Sequence, residues 1–78
     1  MITVILDGRE GKIASLLFTY STEKETKTEI LNSENIWKLL QTDNILDDSC
    51  KVKYIDDTYD VRDIFRNEYE ELIVRLYS

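Results

Sequence analysis

Apolar positions along the chain fall into short runs separated by charged or glycine-bearing breaks. Ile2–Leu6 is a β-branched run, and Ile13–Tyr20 is apolar again. Between them, Asp7-Gly8-Arg9-Glu10-Gly11 holds both glycines of the chain. Glycine adopts positive φ without a Cβ penalty, so this stretch reads as a turn and the two runs as the arms of a β-hairpin with a five-residue loop. Both arms are almost continuously apolar, which predicts cover on both faces. Ser21–Thr28 is polar and fits either an exposed edge strand, guarded by its charges, or a long loop; Thr26–Ile30 leans to strand on propensity.

Asn32-Ser33 ahead of Glu34 predicts a helix N-cap, with the Ser33 hydroxyl accepting from an orphan amide and Glu34 complementing the helix dipole. Ile36, Trp37, Leu39 and Leu40 share one helical face, and the helix is expected to end near Thr42. Asp43–Ser49 follows as an acidic loop with Ile45 and Leu46 tucked inside. Lys51–Ile55 alternates as a half-buried strand closed by Asp56-Asp57. From Tyr59 to Tyr77 two patterns compete. Val61, Ile64, Phe65, Tyr69, Leu72, Ile73 and Leu76 make a helical stripe, which favours helix to about Asn67. Leu72–Tyr77 suits helix and strand equally. The expected fold is therefore one α+β domain over residues 1–78: a small antiparallel sheet, made of the N-terminal hairpin plus one to three further strands, packed with one or two helices.

Length tightens this picture. A chain of 78 residues buries only about 60% of its unfolded surface, and domains of this size often add disulfides, a metal or a partner subunit. Cys50 is the only cysteine and there is no histidine, so an internal disulfide is excluded and a zinc site lacks its usual ligands. Self-association stays open. One cysteine, no basic leader before the first apolar run and no span of about 20 apolar residues lead us to expect a cytoplasmic protein.

The inventory of side chains argues against catalysis. Without histidine, neither a Ser-His-Asp nor a Cys-His arrangement can be built. Gly8-Arg9-Glu10-Gly11 is too short for a phosphate loop, and its acid would repel phosphate. Paired carboxylates occur at Asp47-Asp48, Asp56-Asp57 and Glu70-Glu71, but a chain this short has little room for a cleft beside its core. Asp56, Thr58 and Asp60 match the first, third and fifth places of a calcium loop, yet Val61 and Asn67 stand where glycine and glutamate are required. We expect no enzyme, no cofactor and no metal.

Charge is the positive signal. The chain carries 16 acidic and 10 basic residues, a net charge of −6. Asp43, Asp47, Asp48, Asp56, Asp57, Asp60, Asp63, Glu68, Glu70 and Glu71 face only Lys51, Lys53, Arg62 and Arg66 across residues 43–71, so this segment holds the whole net charge. It would repel nucleic acid and anionic membrane and attract basic surfaces. Tyrosine gives rigid contact area with a polar tip, and Tyr54 and Tyr59 flank Asp56-Asp57. These ten carboxylates and two tyrosines are the candidate partner-binding residues. In size, charge and lack of catalytic groups the chain resembles small phage-encoded inhibitors, including anti-CRISPR proteins and DNA mimics. That resemblance, one of composition, implies an inhibitor or regulator occupying a basic nucleic-acid-binding surface of a partner protein. The alternative is a self-assembling accessory subunit, joined through the apolar hairpin or an edge strand.

Overall fold

The computed structural model describes residues 1–42, 44–46 and 48–78. The elements in chain order are β1 (Ile2–Leu6), β2 (Arg9–Ile13), β3 (Ser15–Ser21), β4 (Thr26–Asn32), α1 (Ser33–Thr42), β5 (Lys51–Tyr54), β6 (Asp57–Arg66) and β7 (Leu72–Leu76). The α+β class stands, but the sheet is larger than expected. It has seven strands among the described residues, in the order β2-β1-β7-β6-β5-β3-β4. It is also mixed, because β1 and β7, its second and third strands, run parallel.

Three local expectations are corrected, each for a physical reason. The first hairpin turns on two residues, not five: Leu6 pairs with Arg9, and Asp7 and Gly8 have φ of 53° and 76°. That is a type I′ turn, whose twist matches the strands it joins. The second arm is therefore Arg9–Ile13, and the Ile13–Tyr20 run belongs to β3, which pairs with β4 and β5. Gly11 is not a turn residue; the Tyr54 phenol lies where its side chain would be. At the helix start, Asn32 rather than Ser33 supplies the cap, its Oδ1 accepting from the Asn35 amide at 2.9 Å.

The third correction is the largest. Tyr59–Asn67 is not helical but lies mostly in β6, and Leu72–Leu76 is strand. A β-bulge between Val61 and Asp63 explains the misleading pattern. One extra residue in a strand changes the period of the side chains beyond it. Val61 and Ile64, three positions apart, both pack against the core, which imitates one face of a helix. Phe65 points the other way, and Tyr69 sits in the turn between β6 and β7.

The connection from β2 to β3 forces the sheet to fold on itself. In a flat sheet these strands would stand five spacings apart, about 24 Å. Only Ala14 separates them, and one residue spans about 7 Å at most. The bend at Ala14 makes one corner. The bulge in β6 makes another, because Asp57–Asp60 pairs with β5 whereas Val61–Arg66 pairs with β7. Strands that switch sheets at bends and bulges are how two β-layers are joined at a corner. Ile2, Val4, Leu72, Val74 and Leu76 from one layer meet Leu16, Phe18, Tyr20 and Val52 from the other, and Ile36 of α1 completes this buried cluster. The Arg66 guanidinium lies 4.7 Å over the Trp37 ring, tying α1 to the end of β6.

Among the described residues no strand or helix forms a second layer on the outer face of β1 and β7, yet Thr3 and Ile73 are buried there. Long side chains close over them. Lys12 bonds Glu71 at 2.9 Å, the Thr3 hydroxyl donates to the same carboxylate at 3.5 Å, and Arg75 lies over the Phe65 ring at 5.5 Å.

Candidate contact site

Two hairpin tips converge at one end of the molecule. The first is Asp7-Gly8. The second is Ile55-Asp56, between the paired residues Tyr54 and Asp57, with φ of 47° and 65°. Both turns are type I′, which requires positive φ at two successive residues. Aspartate and glycine accept this conformation readily, but a β-branched residue does not, because its Cβ crowds the backbone. Ile55 holds it nevertheless and leaves 74% of its surface exposed.

Leu6, Asp7, Arg9, Glu10, Tyr54 and Ile55 line one surface hollow between the tips. Tyr54 reaches from β5 to the backbone of β2, where Gly11 leaves room for its ring. Tyr59 is half-buried beside it. Burial pushes the Tyr59 phenol above its ordinary pKa; the charges of Asp57 and Asp7 and a hydrogen bond with Asp57 push it further. The phenol is thus held as a hydrogen-bond donor, and Asp7, Asp57 and Tyr59 are neighbours. The tip gathers Asp7, Glu10, Asp56 and Asp57 around an exposed isoleucine and two tyrosines, with Arg9 as the cation on that hollow.

The other expected site residues are placed elsewhere. Asp60 is on β6, 3.9 Å from the Lys51 ammonium. Asp63 receives a two-pronged contact from Arg75, with Nε to Oδ1 at 2.7 Å. That hydrogen bond, aided by the charges of Arg75 and Arg62 against the cost of burial, holds the Asp63 carboxyl below its usual range. Glu71 is lowered likewise, first by its hydrogen bond and charge contact with Lys12. Glu68 and Glu70 are exposed in the turn beyond β6. That turn is separated from Asp57 by the whole length of the ten-residue strand β6. Asp48 lines a separate hollow with Leu40, Cys50 and Arg62. Asp43 and Asp47 lie outside the described residues. Among the described residues, Asp56 and Asp57 thus lie at one end of β6 and Glu68, Glu70 and Glu71 at the other, while Asp60 and Asp63 between them are engaged in ion pairs.

Of the tyrosines, Tyr20 is in the core, Tyr54 and Tyr59 join the tip, and Tyr69 and Tyr77 are exposed away from it. Sequence reasoning found Tyr54, Asp56, Asp57 and Tyr59 because they are adjacent in the chain. It missed Asp7, Glu10 and Ile55. For Ile55 the available signal was the alternation Val52, Tyr54 and Tyr59, Val61 on either side of a polar break, which marks a second hairpin.

This arrangement suits recognition. Clustered carboxylates accept charge-assisted hydrogen bonds from arginine or lysine, and an exposed aliphatic side chain between them can fill a small apolar pocket. Comparison of the chain with protein-family models, curated proteins and solved structures finds no match. Among the described residues, no helix is long and apolar enough to cross a membrane.

Proposed function

We propose that this chain is a small acidic inhibitor or regulator that docks, through its two hairpin tips, on a basic nucleic-acid-binding surface of a partner protein. The observation that carries the reading is Ile55. Holding a β-branched residue at positive φ costs about 1–2 kcal/mol, and at 74% exposure little packing within the chain offsets it. Strain of that kind is retained where a side chain has an external use. Its neighbours Asp7, Glu10, Asp56 and Asp57 select the sign of the partner: a surface rich in arginine and lysine, of the kind that otherwise holds phosphates. The net charge of −6 disfavours direct binding of nucleic acid or anionic membrane. The reading agrees with the resemblance to phage-encoded inhibitors, and it involves no catalysis, cofactor or metal.

The test compares the wild type with a D7N/I55N/D56N/D57N variant. Asparagine tolerates positive φ, so the turns keep their geometry. Both proteins are used to capture partners from lysate of the source or its host. The expected result is a nucleic-acid-binding protein that the wild type retains until the salt is raised, that competing nucleic acid displaces, and that the variant does not retain. Capture of the same proteins by both would overturn the reading.

A further inference from the structure

Separately from the tips, we infer that β4 is a pairing edge for a second copy of this chain, joined antiparallel about Thr28. Among the described residues, β4 is the terminal strand of the sheet and pairs with β3 alone. The other terminal strand, β2, is not equivalent, because it runs on into β3 and lies under the Tyr54 ring. β4 is seven residues long and mostly exposed, with no proline and no bulge in its pairing to β3. An unpaired edge of that kind is a template for another strand unless its side chains forbid it.

The side chains of β4 favour one register along its length. Lys27 and Glu29 project to the same face, either side of Thr28. In a twofold antiparallel pair centred on Thr28, Lys27 faces Glu29 of the second copy and Glu29 faces its Lys27. Ile30, 73% exposed and beside the exposed Leu17, then faces Thr26 of the second copy. Shifting the pair by one residue to centre on Glu29 sets glutamate against glutamate. Centring it on Lys27 sets lysine against lysine and Glu25 against Glu29. Like charges directly opposite are destabilising and opposite charges favourable, so the pattern Thr26-Lys27-Thr28-Glu29-Ile30 selects one alignment and rejects its neighbours. The edge charges that guard against indiscriminate pairing are thus self-complementary in this register; centring on Thr26 also sets Lys27 against Glu25, but Glu25 lies outside β4 and hardly any of the strand then overlaps its copy. Two strands of this length bury less than the standard interface area, so the dimer is weak and concentration-dependent.

Sedimentation equilibrium from about 10 µM to about 1 mM tests the inference, a range suited to a small interface. The wild type is expected to pass from monomer to dimer. K27E and E29K each turn two attractive pairs into two repulsive ones, so each alone dimerises at least about ten-fold more weakly. An equimolar mixture of K27E and E29K restores both pairs and forms a heterodimer. Because Glu29 also accepts the Tyr20 hydroxyl at 3.0 Å, a second measurement avoids that side chain. In a C50S background, mild oxidation is expected to link T28C to itself and to leave T26C unlinked, since only residue 28 faces its own copy. A wild type that stays monomeric throughout, variants that dimerise as it does, or T26C linking as readily as T28C would overturn the inference.

Discussion

Replacing Gly11 with alanine tests how the two layers close on each other. An ideal Cβ at Gly11 lies 2.0 Å from the Tyr54 hydroxyl oxygen and 3.2 Å from Cζ. Ordinary contact begins near 3.5 Å, so the phenol must withdraw by about 1.5 Å. Its ring packs against the core cluster, and overfilling a packed site of this kind costs about 1–3 kcal/mol. The backbone works in the other direction. Gly11 is not in the left-handed region, so alanine is allowed there and recovers about 0.5–1 kcal/mol of glycine's entropy. The net effect of G11A is a loss of about 1–2 kcal/mol, or a fall in Tm of about 4–16 °C for a domain of this size. Y54F removes the atom at 2.0 Å and leaves the contact at 3.2 Å, which a shift of a few tenths of an ångström relieves. Y54F alone is expected within about 0.5 kcal/mol of wild type, and G11A/Y54F likewise. Urea denaturation of the four proteins, followed by circular dichroism and by Trp37 fluorescence, gives the coupling as a double-mutant cycle. The expected coupling is about 1–2 kcal/mol in favour of the double variant. Additive effects within about 0.3 kcal/mol, or a G11A protein as stable as the wild type, would refute the closure of β5 on β2.

Other outcomes follow from sites already described. I55N should raise stability by about 1 kcal/mol in urea denaturation, since asparagine tolerates the φ of 47° that isoleucine resists; a loss would show that Ile55 is packed rather than strained. N32A should cost about 1 kcal/mol and S33A much less, because the Asn32 side chain holds the cap; equal effects would contradict that assignment. The pKa values of Asp63 and Glu71 are both lowered in the folded protein. Their contribution is therefore complete above the ordinary carboxylate range, about pH 4, and is lost as pH falls through the lower folded values. D63N/E71Q should flatten the acid limb of a stability-against-pH curve below about pH 4, and an unchanged limb would count against both ion pairs.

What the sequence disclosed depended on whether each signal was local. Ile2–Leu6, the helix ending at Thr42 and the strand at Lys51 were legible because propensity, pattern and turn chemistry agree there. Gly11 misled because glycine marks turns and close approaches alike, and its partner Tyr54 is far along the chain. The bulge at Val61–Asp63 misled because it gives a strand the spacing of a helix. The candidate site was half legible for the same reason. Asp56 and Asp57 adjoin their tyrosines, whereas Asp7 and Glu10 reach the tip only through a fold that brings the first hairpin beside the third pair of strands. The acidic excess of residues 43–71 could be counted but not placed, since a long strand sends its carboxylates to both ends.

The parallel pairing of β1 with β7 governs when this fold can come into being. Ile2 meets Leu72 and Ile5 meets Arg75, so two segments far apart in sequence are zipped together inside the sheet, each with a strand on its other side. During synthesis β1 emerges long before β7, so one side of β1 stays bare until the intervening strands and helix have been made. Closing so long a loop costs entropy before any contact offsets it, which slows folding and leaves unpaired edges open meanwhile. Once β7 is in place, the same arrangement makes its release a global event. Its amides should exchange with solvent as slowly as any among the described residues.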